Sequence, residues 1–199
     1  MEQREIDTPH GPARAHLSPV QSPRALLVLG HGAGGGVTAP DLVTAAEEAI
    51  ATGVSVALVE QPYRVAGRKS PAPAHQLDAA WLAVVRALRG EEPVLCGGRS
   101  SGARVACRTA GETGAAGVLC LAFPLHPPGR PEKTRLAELE AVEVPVLIVQ
   151  GESDPFGMPP EAPDREVVRL RGDHGLKSDR PGLRAAVAGW LERRLTESA

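Results

Sequence analysis

The chain has 199 residues, of which 42% are hydrophobic and only 3% aromatic, and its formal net charge is −2. That length suits a single domain over 1–199 with a proper buried core. The small charge and scattered arginines exclude nucleic acid and anionic membrane as electrostatic partners, and no apolar run reaches the roughly 18 residues of a membrane span. Met1-Glu2-Gln3-Arg4-Glu5-Ile6-Asp7 is too charged for a signal peptide. The three cysteines, Cys96, Cys107 and Cys120, lack C-x-x-C spacing. They read as free buried thiols of a reducing compartment, so the expected location is cytoplasmic.

Residues 1–24 are irregular and rich in Pro and His, with room for one or two edge strands around Ile6 and over 13–17. From there, short runs of Val and Leu recur at 26–30, 54–59, 93–97, 116–122 and 144–150. None alternates cleanly between apolar and polar, which is the mark of strands buried on both faces of a parallel sheet. Helical patterns lie between them. Thr38-Ala39-Pro40-Asp41 combines a cap, an early proline and a first-turn acid, and Gly53 supplies the stop. Leu77, Trp81, Val84, Val85 and Leu88 share one face of a second helix that ends at Gly90. Leu183, Val187, Trp190, Leu191 and Leu195 do the same for the last one. This alternation predicts an α/β fold, a mostly parallel, doubly wound sheet with helices on both faces.

The loops after the predicted strands carry the chemistry. Gly98-Arg99-Ser100-Ser101-Gly102 matches G-x-S-x-G, a serine on a sharp strand-to-helix bend. Asp154 follows the 144–150 strand through Gly151-Glu152-Ser153, and His174 follows the strand-like 166–170 through Arg171-Gly172-Asp173. A serine hydroxyl needs a base, and the base needs an acid to hold its tautomer. The order Ser100, Asp154, His174 is the one a doubly wound hydrolase requires. The glycine-rich loop Gly30-His31-Gly32-Ala33-Gly34-Gly35-Gly36 can aim amides at a tetrahedral oxyanion, a contribution of about 3–4 kcal/mol. The amides of Ala33 and Ser101 are the candidate donors. A phosphate cradle is the rival reading, but the loop lacks the G-K-[S/T] ending. Its G-x-G-x-x-G match at Gly30, Gly32 and Gly35 has a histidine where a dinucleotide must approach.

With these stretches in view, the chain resembles the α/β-hydrolase superfamily near its dienelactone-hydrolase-like branch. More narrowly, it is similar to the small lidless group that includes testis-expressed-protein-thirty-like hydrolases. The resemblance lies in Gly30-His31-Gly32-Ala33-Gly34, Gly97-Gly98-Arg99-Ser100-Ser101-Gly102-Ala103-Arg104, Phe123-Pro124-Leu125-His126-Pro127-Pro128-Gly129, Gln150-Gly151-Glu152-Ser153-Asp154-Pro155-Phe156-Gly157 and Gly172-Asp173-His174-Gly175-Leu176-Lys177. It implies Ser100 as nucleophile, Asp154 as acid and His174 as base, with no metal or cofactor. Dienelactone hydrolases proper carry cysteine as nucleophile, whereas this chain has Ser100 there.

Two residues have more than one reading. Arg99, beside the nucleophile, either meets an anionic group of the substrate, joined by Arg64, Arg130 and Lys133, or pairs with a neighbouring carboxylate such as Glu60. His126 either contacts substrate or ties down its own proline-rich loop. That loop, residues 123–133, stands where larger hydrolases insert a lid; its shortness predicts an open, shallow site. The expected activity is serine hydrolysis of a small ester or thioester. The alternative is a non-catalytic binding module on the same fold. The sequence leaves a homodimer open.

Overall fold

The computed structural model describes residues 2–197. Eight strands form one sheet in the order β1-β2-β4-β3-β5-β6-β7-β8. They are β1 (Glu2–Ile6), β2 (Ala13–Ser18), β3 (Leu26–Gly30), β4 (Ser55–Glu60), β5 (Val94–Arg99), β6 (Gly117–Leu121), β7 (Val146–Gly151) and β8 (Arg165–Leu170). β2 pairs antiparallel with both β1 and β4, and every pairing from β4 to β8 is parallel. The expected edge strands before residue 25 are both present, at the end of the sheet where β1 has only Ile6 buried.

The central strands show why their sequences do not alternate. Leu26 and Val28 of β3 enter one core layer, packed with Leu77, Trp81 and Val84 of α3 (Ala74–Leu88) and Val105 and Ala106 of α4 (Ser101–Thr113). Leu27 and Leu29 enter the opposite layer, with Leu42 and Ala45 of α1 (Pro40–Ala51) and Leu183, Val187 and Leu191 of α6 (Arg180–Glu197). Both faces are therefore dry, and each strand position must be apolar. None of the described helices is long and apolar enough to cross a membrane.

Three local features differ from the sequence reading. Short helices α2 (Pro62–Val65) and α5 (Leu136–Glu140) occupy segments to which the sequence reading assigns no element, because one turn is too short to display a helical period. The start of α1 has no side-chain cap: Ala39 is the N-cap residue, with Pro40 in the first turn. Asp41 is the first-turn acid of α1, as expected, and it is also buried. The 123–133 segment roots in buried Phe123 and Pro124, and residues 128–134 are exposed. It makes no lid.

Candidate active site

At the carboxyl end of β5 the chain turns abruptly into α4, and Ser100 occupies the bend with φ 52° and ψ −108°. This is a left-handed conformation that costs a non-glycine residue of order 1–3 kcal/mol. The bend is tolerated because its flanks have no side chains. A Cβ on Gly98 or on Gly102 would collide with backbone atoms of Gly30 in β3. The amide of Ser100 donates to the Leu121 carbonyl of β6 at 2.9 Å, which fixes the bend against the sheet.

The three residues picked from the sequence converge across 74 positions of chain. His174 Nε2 lies 3.0 Å from Ser100 Oγ, and His174 Nδ1 lies 2.8 Å from Asp154 Oδ2. The Asp154 side chain has no exposed surface. Its Oδ2 also accepts from Gln150 Nε2 at 2.8 Å, and its Oδ1 accepts from the Phe156 amide at 2.9 Å. With both oxygens engaged, the carboxylate cannot rotate, so the lone pair offered to His174 Nδ1 is set. The Phe156 ring stacks on the imidazole, centroid to centroid 4.3 Å, at a tilt of 34°.

The glycine-rich loop is held from behind. His31 is buried; its Nδ1 donates to the Gly32 carbonyl at 2.8 Å, and its Nε2 accepts from the Gln61 amide at 3.1 Å. Donor on one nitrogen and acceptor on the other means a neutral ring, and burial holds its pKa below the usual 6.5. The Tyr63 hydroxyl donates to the Ala33 carbonyl at 2.8 Å, and burial raises its pKa. Among the described residues the amides of Ala33 and Ser101 have no acceptor, which leaves both available to a ligand.

The two residues with double readings are both engaged. Arg99 Nε donates to Asp41 Oδ2 at 2.7 Å and Nη2 to the His174 carbonyl at 3.0 Å. Its partner is thus Asp41, from the start of α1. Glu60 instead faces His16 and Arg14 on β2. His126 Nδ1 donates to the Pro127 carbonyl at 2.9 Å, and the His126 amide donates to the Phe156 carbonyl at 3.0 Å. That histidine ties the 123–133 segment to the loop of Asp154. Sequence reading gave no site role to Gln150, Tyr63 or Asp41. Gln150 had a signal: it is a polar residue at the end of an otherwise apolar strand, and a buried amide needs partners. It finds three, the Phe123 and Gly157 carbonyls and Asp154.

A family model described as an alpha/beta hydrolase domain matches residues 23–180. Among solved structures, the chain is similar to an α/β serine hydrolase without lid from Xanthomonas campestris, at 20% identity and a TM-score of 0.79, over 96% of this chain and 94% of that one. It is also similar to Est1E from Butyrivibrio proteoclasticus, at 16% identity and a TM-score of 0.78, over 98% and 99% of the two chains. A dienelactone hydrolase from Anabaena variabilis aligns at 16% identity and a TM-score of 0.72, over 98% and 96%. At these identities the likeness is one of fold. No curated protein matches the sequence.

Proposed function

Because the chain belongs to the alpha/beta hydrolase domain family, we propose that it is a serine hydrolase cleaving a small ester or thioester through Ser100, His174 and Asp154. One observation carries this reading: the unbroken hydrogen-bonded chain from Ser100 Oγ to His174 to the buried Asp154, at 3.0 and 2.8 Å. In the first step Ser100 Oγ attacks the scissile carbonyl as His174 Nε2 takes its proton, and Asp154 holds the resulting imidazolium. The oxygen of the tetrahedral intermediate receives the amides of Ala33 and Ser101. Ser101 opens α4, so the positive end of the helix dipole favours the same charge. His174 then protonates the leaving group, and water repeats the sequence to release the acid. A binding module without catalysis would have no need to keep Ser100 in a strained conformation.

A fluorophosphonate probe and a panel of p-nitrophenyl esters test the proposal. Est1E is known with ferulic acid bound, so a feruloyl ester belongs in that panel. The wild type should label and turn over. Ser100→Ala should do neither while keeping its melting temperature, and His174→Ala should lose about a thousandfold or more in kcat. Labelling that survives Ser100→Ala would move the nucleophile to another residue, Ser101 first.

A further inference from the structure

We propose that Arg99 is a positioning residue: with Asp41 as its counter-charge, it ties the His174 loop to the nucleophile bend and the glycine-rich loop. The inference rests on the triad proposed above and concerns a residue outside it. Arg99 precedes Ser100 directly, so its backbone belongs to the bend itself. Its guanidinium reaches in three directions. Nε meets Asp41 at the start of α1 and Nη2 meets the carbonyl of His174, at 2.7 and 3.0 Å. Nη1 lies against Gly32: a Cβ built there would be 2.9 Å from it and 3.6 Å from Ser100 Cβ. One planar fork therefore touches the base loop, the oxyanion loop and α1.

A lysine could not reproduce this, because a single ammonium cannot hold two acceptors in the fixed directions of a guanidinium. Nor is the cation free to attract an anionic substrate. The Asp41 side chain is wholly buried, and its second oxygen is taken by the Leu42 amide at 2.9 Å. Burial pushes the Asp41 carboxyl up, and Arg99 opposes that shift. Asp41 therefore depends on Arg99, since without it the carboxylate would be a buried unpaired anion, while the Arg99 side chain keeps 21% of its surface exposed. The consequence for His174 is positional. Asp154 and Ser100 hold the ring, but only Arg99 among these side chains grips its backbone.

The groups facing His174 are Asp154 from the β7 loop, Ser100 and Arg99 from the bend, Asp41 behind Arg99, and the Phe156 ring. Asp173 and Lys177 lie on its own loop, where Asp173 Oδ1 accepts the Gly175 amide. Asp41→Asn removes the counter-charge of the nearest cation. The imidazolium is then disfavoured, and the acidic limb of kcat/KM moves to lower pH. A residue that merely stabilises the fold would leave that limb where it is.

The test uses the full-length protein with two substrates, neutral p-nitrophenyl acetate and anionic mono-p-nitrophenyl succinate. Arg99→Met should lower kcat about tenfold or more on both, with KM changed less than about twofold. Arg99→Lys should recover only part of that loss, and Asp41→Asn should shift the acidic limb downward. Should Arg99→Met fail to fold, the double variant Asp41→Asn/Arg99→Met leaves no unpaired buried charge and should show the same fall in kcat. Three results would overturn the proposal: kcat unchanged in the double variant, a KM rise confined to the succinate ester, or an acidic limb unmoved in Asp41→Asn. Ser100→Ala is assayed alongside. Activity in that variant overturns the triad and this inference together; an inactive Ser100→Ala beside a fully active double variant overturns this inference alone.

Discussion

At the scale of single residues, His31 shows how protonation reaches the site without touching the reacting groups. Its Nε2 accepts the Gln61 amide and its Nδ1 donates to Gly32. A proton on Nε2 would set N–H against N–H within the buried ring's shell. Burial lowers the pKa of His31 in the folded chain below its ordinary 6.5. A depressed pKa means that the unfolded chain binds the proton more readily. The contribution of His31 to stability is therefore complete above pH 6.5 and is lost as pH falls through the folded-state value. Urea unfolding at pH 7.5 and pH 5.5 should show this fall in the wild type and a smaller one in His31→Gln. Equal falls would assign the effect to other groups.

At the scale of elements, the 123–133 segment governs what the site can enclose. Its root is buried at Phe123 and Pro124, but 128–134 is exposed. Each methylene of an acyl chain gains about 0.8 kcal/mol only where a wall removes it from water. Activity on p-nitrophenyl esters should peak between acetyl and butyryl and decline beyond, without interfacial activation. A maximum at decanoyl would require an apolar wall that this segment does not form. The same elements mark what a sequence can and cannot reveal. The strands were legible because burial on both faces leaves apolar runs such as 26–30 and 144–150. Ser100 and Asp154 were legible as candidates because each follows such a run, and His174 because it follows the half-exposed 166–170 stretch. Helix α5, five residues long, was not, since no period shows in so short a stretch. The role of Asp41 was hidden for another reason: its partner is 58 positions away, and a first-turn acid has a sufficient local explanation in the helix dipole.

At the scale of the whole molecule, three thiols sit in one core layer. Cys96 on β5, Cys107 on α4 and Cys120 on β6 are all buried and unpaired, with Cys107 and Cys120 sulfurs 3.5 Å apart. Burial pushes the Cys96 thiol up to about 12, and the hydrogen bond with Cys107 raises Cys120, with burial adding to the effect. A thiol that is neither exposed nor ionised does not react. Ellman's reagent should therefore find no fast thiol in the native protein, and in urea all three should appear together at the midpoint seen by circular dichroism. Cys107 alone reacting at native conditions would show that α4 opens apart from the rest.

The order of the strands has a use beyond the chemistry. Gly129 lies at the exposed tip of the 123–133 segment, in a left-handed turn with φ 69°. A cut there leaves β1 to β6 with Ser100 on one fragment and β7, β8 and α6 with Asp154 and His174 on the other. Within the sheet the seam between the fragments is the parallel pairing of β6 with β7, and outside it α1 packs against α6. Neither piece holds all three residues of the proposed triad. On the function proposed above, the two pieces fused to interacting proteins are expected to release p-nitrophenol from an ester only when brought together, and release from either piece alone would count against the three-residue site.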